Sequence, residues 1–182
     1  MRATTTLALA TACAAALALA ACPLPQPLAE VARVNGGTVA PPRILLDSVQ
    51  PPDPRVLVGT ACPSGSSFTL SATVDDANTT EVVEARWFVD YDAQSNSGVA
   101  GLDPQVEPVQ PDDTLRPVTP FVYVLPAFEA AAPVHVVELV VSNGFRPIGD
   151  PAAPLPNRSP LDGFETEVYR WVFEFSDTGR CQ

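Results

Sequence analysis

"VYRWVFEF" (residues 168–175) places Tyr169, Trp171, Phe173 and Phe175 on one side of an extended chain, with Arg170 and Glu174 on the other. Successive side chains of a strand point to opposite faces, so aromatic rings on a single parity predict a strand with one buried face. A helix would scatter the same rings around its circumference. The alternation recurs upstream. "FTLSATV" (68–74) sets Phe68, Leu70, Ala72 and Val74 against Thr69, Ser71 and Thr73. "EARWFVDYD" (84–92) gathers Ala85, Trp87, Val89 and Tyr91, and "HVVELVVS" (135–142) gathers Val137, Leu139 and Val141. "RILLDSV" (43–49) reads as a first strand, continued by "RVLVG" (55–59) beyond Pro51-Pro52. "FVYVL" (121–125) reads as a strand whose inward face the pattern leaves open. The expected core centres on Phe68, Leu70, Trp87, Leu139, Trp171 and Phe173.

Proline supports the same class. All 21 prolines follow position 22, and they interrupt the chain too often for long helices. Short strands joined by proline- and glycine-rich loops define an all-β sandwich or barrel. Six or seven strands over residues 43–182 is the count of an immunoglobulin-like sandwich, and Trp87 on the third main strand resembles the core tryptophan of those domains. The expected fold is therefore an antiparallel Greek-key sandwich of about seven strands. The usual inter-sheet disulfide of that superfold has no counterpart, because neither "FTLSATV" nor "HVVELVVS" contains Cys. Trp87-x-x-Asp90 also resembles polycystic-kidney-disease-type domains, whose Gly-Asp-Gly turn is missing here. Two segments read as long loops, 93–117 and 143–167; the second contains five prolines. By strand parity the second shares an end of the sandwich with residues 75–83, which makes that end the expected binding surface.

The N-terminus reads as a secretory signal over residues 1–21: Arg2, an apolar Leu/Ala run, then small residues. The run is shorter and more alanine-rich than a spanning helix requires. Residues 22–42, with Pro23, Pro25, Pro27 and Gly36-Gly37, read as a stiff linker. Two cleavage sites compete. Ala18-Leu19-Ala20 fits ordinary small-x-small cleavage after Ala20, releasing a soluble protein. Leu19-Ala20-Ala21-Cys22 matches at every position the lipobox of bacterial lipoproteins, which this segment resembles. The resemblance implies acylation of Cys22 as the first mature residue and, with Pro23 rather than Asp after it, attachment to the outer membrane. Two or more acyl chains anchor stably where a single chain is marginal.

Of four cysteines, Cys13 falls within the signal and Cys22 would be acylated. Cys62 and Cys181 remain, an even pair in an oxidising compartment, and a disulfide between them is expected. In a Greek-key sandwich the loop after the first strand and the end of the last lie together, so the bridge would pin a C-terminal edge strand.

The chemistry is otherwise sparse. The chain has 10 Arg, no Lys and 21 Asp plus Glu, for a net charge of −11. An acidic surface repels nucleic acid, and the missing lysine excludes Walker-type phosphate loops, Schiff bases and Ser-Lys dyads. His135 is the only histidine and reads as a strand-end polar residue. Asp75-Asp76 and Asp90-x-Asp92 are the calcium candidates, since that ion takes clustered carboxylates. They lack EF-hand spacing and otherwise read as solvated strand-end acids, so no metal and no cofactor is assigned. The expectation is a lipid-anchored cell-envelope protein, a non-enzymatic interaction or structural module with an envelope protein or polysaccharide as partner. The alternatives are a carbohydrate- or calcium-binding module using loops 93–117 and 143–167, and a secreted protein cleaved after Ala20. A hydrolase would need a pocket with converging titratable groups.

Overall fold

The computed structural model describes residues 33–34, 37–38, 40–95, 97–147 and 157–181. Within the linker segment, β1 (Arg33–Val34) and β2 (Gly37–Thr38) form a ladder with each other, with no further strand partner among the described residues. The remaining strands build a β-sandwich. They are β3 (Arg43–Ile44), β4 (Arg55–Gly59), β5 (Ser67–Leu70), β6 (Thr73–Asp75), β7 (Glu84–Asp92) and β8 (Ser97–Asp103). They continue with β9 (Leu115–Pro117), β10 (Phe121–Val124), β11 (Val134–Ser142) and β12 (Glu167–Ser176). One layer is five-stranded in the order β4-β12-β11-β7-β8. The other consists of β3-β6-β9 and β5-β10. These two pieces belong to one ribbon: β5 runs on towards β6, β9 towards β10, and Val118 N–H bonds Ala72 O between them at 3.0 Å. The chain thus crosses layers after β9–β10, and β11 returns between β7 and β12, a Greek-key path. Among the described residues no helix is long and apolar enough to cross a membrane.

The core lies where the alternation puts it. Phe68, Leu70, Trp87, Leu139, Trp171 and Phe173 are all buried. Phe68 meets Phe173 across the layers at 5.0 Å between ring centroids, and Trp87 stacks on Trp171 at 5.7 Å. The Trp171 indole N–H, which needs a partner once buried, bonds Pro51 O at 3.0 Å. On β10 the inward face is Tyr123, continued by Leu125, while Val122 and Val124 are exposed. The Tyr123 hydroxyl is buried with no hydrogen-bond partner among the described residues. Burial, and secondarily the charge of Asp90, pushes its pKa up. Deleting an unpaired buried hydroxyl removes a desolvation cost without losing a bond. Tyr123→Phe should therefore leave stability unchanged or raise it by up to about 1 kcal/mol, measured by thermal unfolding; a loss above that would mean the hydroxyl has a partner.

Four expectations are corrected. The first strand is not continuous. Arg43–Ile44 pair with β6, a single 3-10 turn follows at Leu46–Ser48, and the chain crosses at Gln50-Pro51 (a cis bond) to the other layer. There β4 lies parallel to β12 rather than antiparallel, so β4, not the C-terminal strand, is the edge. The segment 93–117 is not all loop, since it holds β8 and β9. Its strand "SGVAGLD" carries no clean alternation, and Gly98 has φ +95° with Val89 O only 2.5 Å from where a Cβ would stand. Only glycine fits there, which is why the stretch looks like a turn. Tyr91 leaves the inward parity of β7. The β7–β8 register shifts between Phe88 and Asp92, Asp90 sits at φ +49°, and the Tyr91 ring emerges on the outer face against Phe88 at 5.0 Å. The outer face of the five-stranded layer also holds buried apolar side chains. Phe88, Val140 and Phe145 form a second small core there, with Tyr91, Val99 and Val168 at its margin.

The described part of segment 143–167 covers that second core. Phe145 bridges to Pro160, and Leu161 N–H bonds Gly144 O at 2.7 Å. Gly144 is required for the close approach, since a Cβ there would lie 2.3 Å from the Phe164 ring.

Candidate functional site

The expected disulfide is present. Cys62 follows β4, Cys181 follows β12, and the parallel pairing of those strands brings the two Cα atoms to 5.4 Å. Trp87 and Trp171 are core residues and offer no exposed aromatic surface. Leu19, Ala20, Ala21 and Cys22 lie outside the described residues. Asp75 and Asp76 stand at one end of the sandwich, Asp90 and Asp92 at the other. The two pairs do not converge, and among the described residues no three metal-ligating groups come together.

The end expected to bind does gather segments 75–83 and 143–167, as the pairing of Ser142 with Glu84 requires. What they build is an internal clasp. Asp76 is fully buried and accepts the Asn78 N–H at 3.1 Å and Asn143 Nδ2 at 3.2 Å, with Arg116 Nη2 3.7 Å away. Asn143 also donates to Glu81 at 2.8 Å, and Arg116 donates to the carbonyls of Val106 and Asn78. Desolvation pushes the Asp76 carboxyl above the ordinary carboxylate range, against the opposing pull of the Asn78 N–H, Arg116 and Asn143. The polar groups are turned on one another, so this end fastens loops.

The open site lies on the outer face of the five-stranded layer. Asp90, Tyr91, Val136, Glu138, Arg158 and Arg170 line a cleft of about 360 Å³. The bulge that turns Tyr91 outward helps to make it. Asp90 is held by its own main strand partner, with Oδ1 accepting the Val136 N–H at 2.8 Å and Oδ2 lying 2.7 Å from His135 Nδ1. That pairing accounts for His135, which borders the site through Asp90 and is not part of the lining. Glu138 is 4% exposed. Its Oε1 accepts Arg170 Nε at 2.5 Å. Its Oε2 faces Arg158 Nη1 at 3.2 Å but outside hydrogen-bond geometry, so that buried oxygen accepts no hydrogen bond. Arg158 itself lies over the Tyr91 ring at 5.0 Å.

None of Glu138, Arg158 or Arg170 stood out in the sequence. Glu138 is a single acid in the middle of "HVVELVVS", and its meeting with Arg170 depends on the β11–β12 register, in which the two are direct partners. Arg158 arrives from the segment after β11, far from both in pattern. The available signal was the isolated charge on the outer parity of an otherwise apolar strand. No known protein family, no characterised protein and no solved structure matches this chain.

Proposed function

We propose that the chain is an exported β-sandwich, anchored to the outer membrane by acylation of Cys22 and serving as a non-enzymatic interaction module of the cell envelope. The observation that carries this reading is the Cys62–Cys181 disulfide. It suits an oxidising compartment, and it uses every cysteine after Cys22, so that with Cys13 inside the signal segment the lipobox-like Leu19-Ala20-Ala21-Cys22 holds the one mature cysteine left for a lipid. Each buried acyl methylene contributes about 0.8 kcal/mol, so two or more chains hold the protein on a leaflet. A tether of this kind acts by raising effective concentration near envelope partners. Intact mass of the membrane-extracted protein tests the reading. The expected species begins at Cys22 and carries added acyl mass, and Cys22→Ser should move the protein from the membrane to the soluble fraction. A mature chain beginning at Ala21 with no acyl mass would establish the secreted form instead.

A further inference from the structure

We infer that the open edge of β10 (Phe121–Val124) pairs antiparallel with the same edge of a second copy of this chain, about a two-fold axis at Tyr123. How the chain is anchored does not enter. Among the described residues β10 has β5 as its one strand partner. Just past the Val124–Ser67 pair, Leu125 N–H bonds Ser66 O at 2.8 Å. Bonded and non-bonded pairs alternate along an antiparallel ladder, so Phe121 and Tyr123 bond β5, whereas the N–H and C=O of Val122 and Val124 point away from it. No hydrogen bond joins those outward groups to any described residue. With Tyr123 on the axis, Val122 of each copy faces Val124 of the other. Each such pair exchanges both of its bonds, so every outward group on the two edges is satisfied.

Charge selects this chain's own copy as the occupant. The net charge of −11 opposes self-contact over most of the surface. Residues 117–128 contain no charged side chain, and neither do Ser67 and Thr69, the exposed β5 partners of Val124 and Val122. Asp103 meets this stretch at Thr119, outside Pro120. Val122 and Val124 are 53% and 56% exposed, and the pairing sets one against the other across the axis, apolar on apolar. Native edges are commonly blunted, and the others here are: β4 carries the exposed Arg55, β8 is broken by register shifts beside Gly98, and β3 is two residues long with Arg43 exposed. β10 has only Pro120 and Pro126 at its ends. Those prolines stop the pairing from running on, which favours the one register centred on Tyr123. An isologous contact uses up the edge on both copies, so association closes at a dimer, and the small contact makes it a weak one.

The test uses the full chain carrying Cys22→Ser, so that neither an acyl chain nor a free thiol brings copies together. Sedimentation velocity from about 10 μM to 1 mM covers the range suited to so small an interface, and a monomer–dimer equilibrium is expected within it. Val122→Asp, at an exposed position, puts like charges across the axis and should raise the dissociation constant about tenfold or more. Val122→Thr should leave it near the wild-type value. Hydrogen exchange identifies the edge. Val122 and Val124 amides should gain protection as concentration rises, while those of Phe121 and Tyr123 stay protected throughout. A chain that remains monomeric over the whole range, a dimer that Val122→Asp leaves unchanged, or exchange at Val122 and Val124 that ignores concentration overturns the inference. Protection of those two amides already present in the monomer, from another part of this chain or from a co-purified strand, does the same.

Discussion

Replacing both Cys62 and Cys181 with Ser is expected to lower the unfolding free energy by up to about 5 kcal/mol. The bridge joins residues 119 apart in sequence, so its removal restores to the unfolded chain the freedom of a very long loop. The folded state loses something as well. Among the described residues β4 is an edge strand whose only ladder partner is β12, and the disulfide closes the end where those two strands finish. Domains are stable by only about 5–15 kcal/mol, so the double variant should sit near the limit of folding. Guanidinium unfolding of the oxidised protein against the double variant measures the effect, and hydrogen exchange should show β4 amides opening before those of β11. Equal midpoints for the two proteins would refute the prediction.

Arg86→Ala should cost about 3 kcal/mol or more, for a different reason. Arg86 is 1% exposed and lies under the covering segment of the outer face. Nε bonds Glu84 at 2.6 Å, Nη1 bonds Asn157 O at 2.9 Å, and Nη2 bonds Arg146 O at 2.9 Å. The guanidinium lies 4.0 Å over the Phe145 ring. Truncation leaves two backbone carbonyls without their donor, removes a cation–π contact and opens a cavity beside Phe88 and Val140. Glu84 retains some contact with water, so its lost partner adds less than a fully buried pair would. Arg86→Lys should be only partly restorative, because one ammonium cannot reach both carbonyls in the guanidinium's fork geometry. Chemical denaturation gives the cost, and proteolysis within 143–167 should accelerate in parallel. A loss below about 1 kcal/mol for Arg86→Ala would mean the covering segment is held by its apolar contacts alone.

Much of the sandwich was legible because its signal is one-dimensional. The rings of Trp171 and Phe173 and the apolar set Phe68, Leu70, Ala72 and Val74 report burial through period two alone, and all are buried. Cys62 and Cys181 could be paired by counting, and the meeting of segments 75–83 and 143–167 followed from strand parity. The candidate cleft was not legible, and particular residues show why. Tyr91 obeys the alternation in sequence and breaks it in space, because the β7–β8 register shifts between Phe88 and Asp92 and Asp90 turns there through the left-handed region. β8 was hidden by Gly98, whose conformation answers to the backbone of a neighbouring strand.

Side-chain alternation, proline spacing and cysteine number are properties of the chain itself, so the sequence alone determined the β class, the core residues and the disulfide. Which strands become neighbours is decided only when distant segments compete for the same edges. That competition placed β4 parallel to β12, laid Phe145 over Phe88 and Val140, and set Glu138 opposite Arg170. Such contacts depend on register across strands far apart in sequence, and no local pattern encodes them.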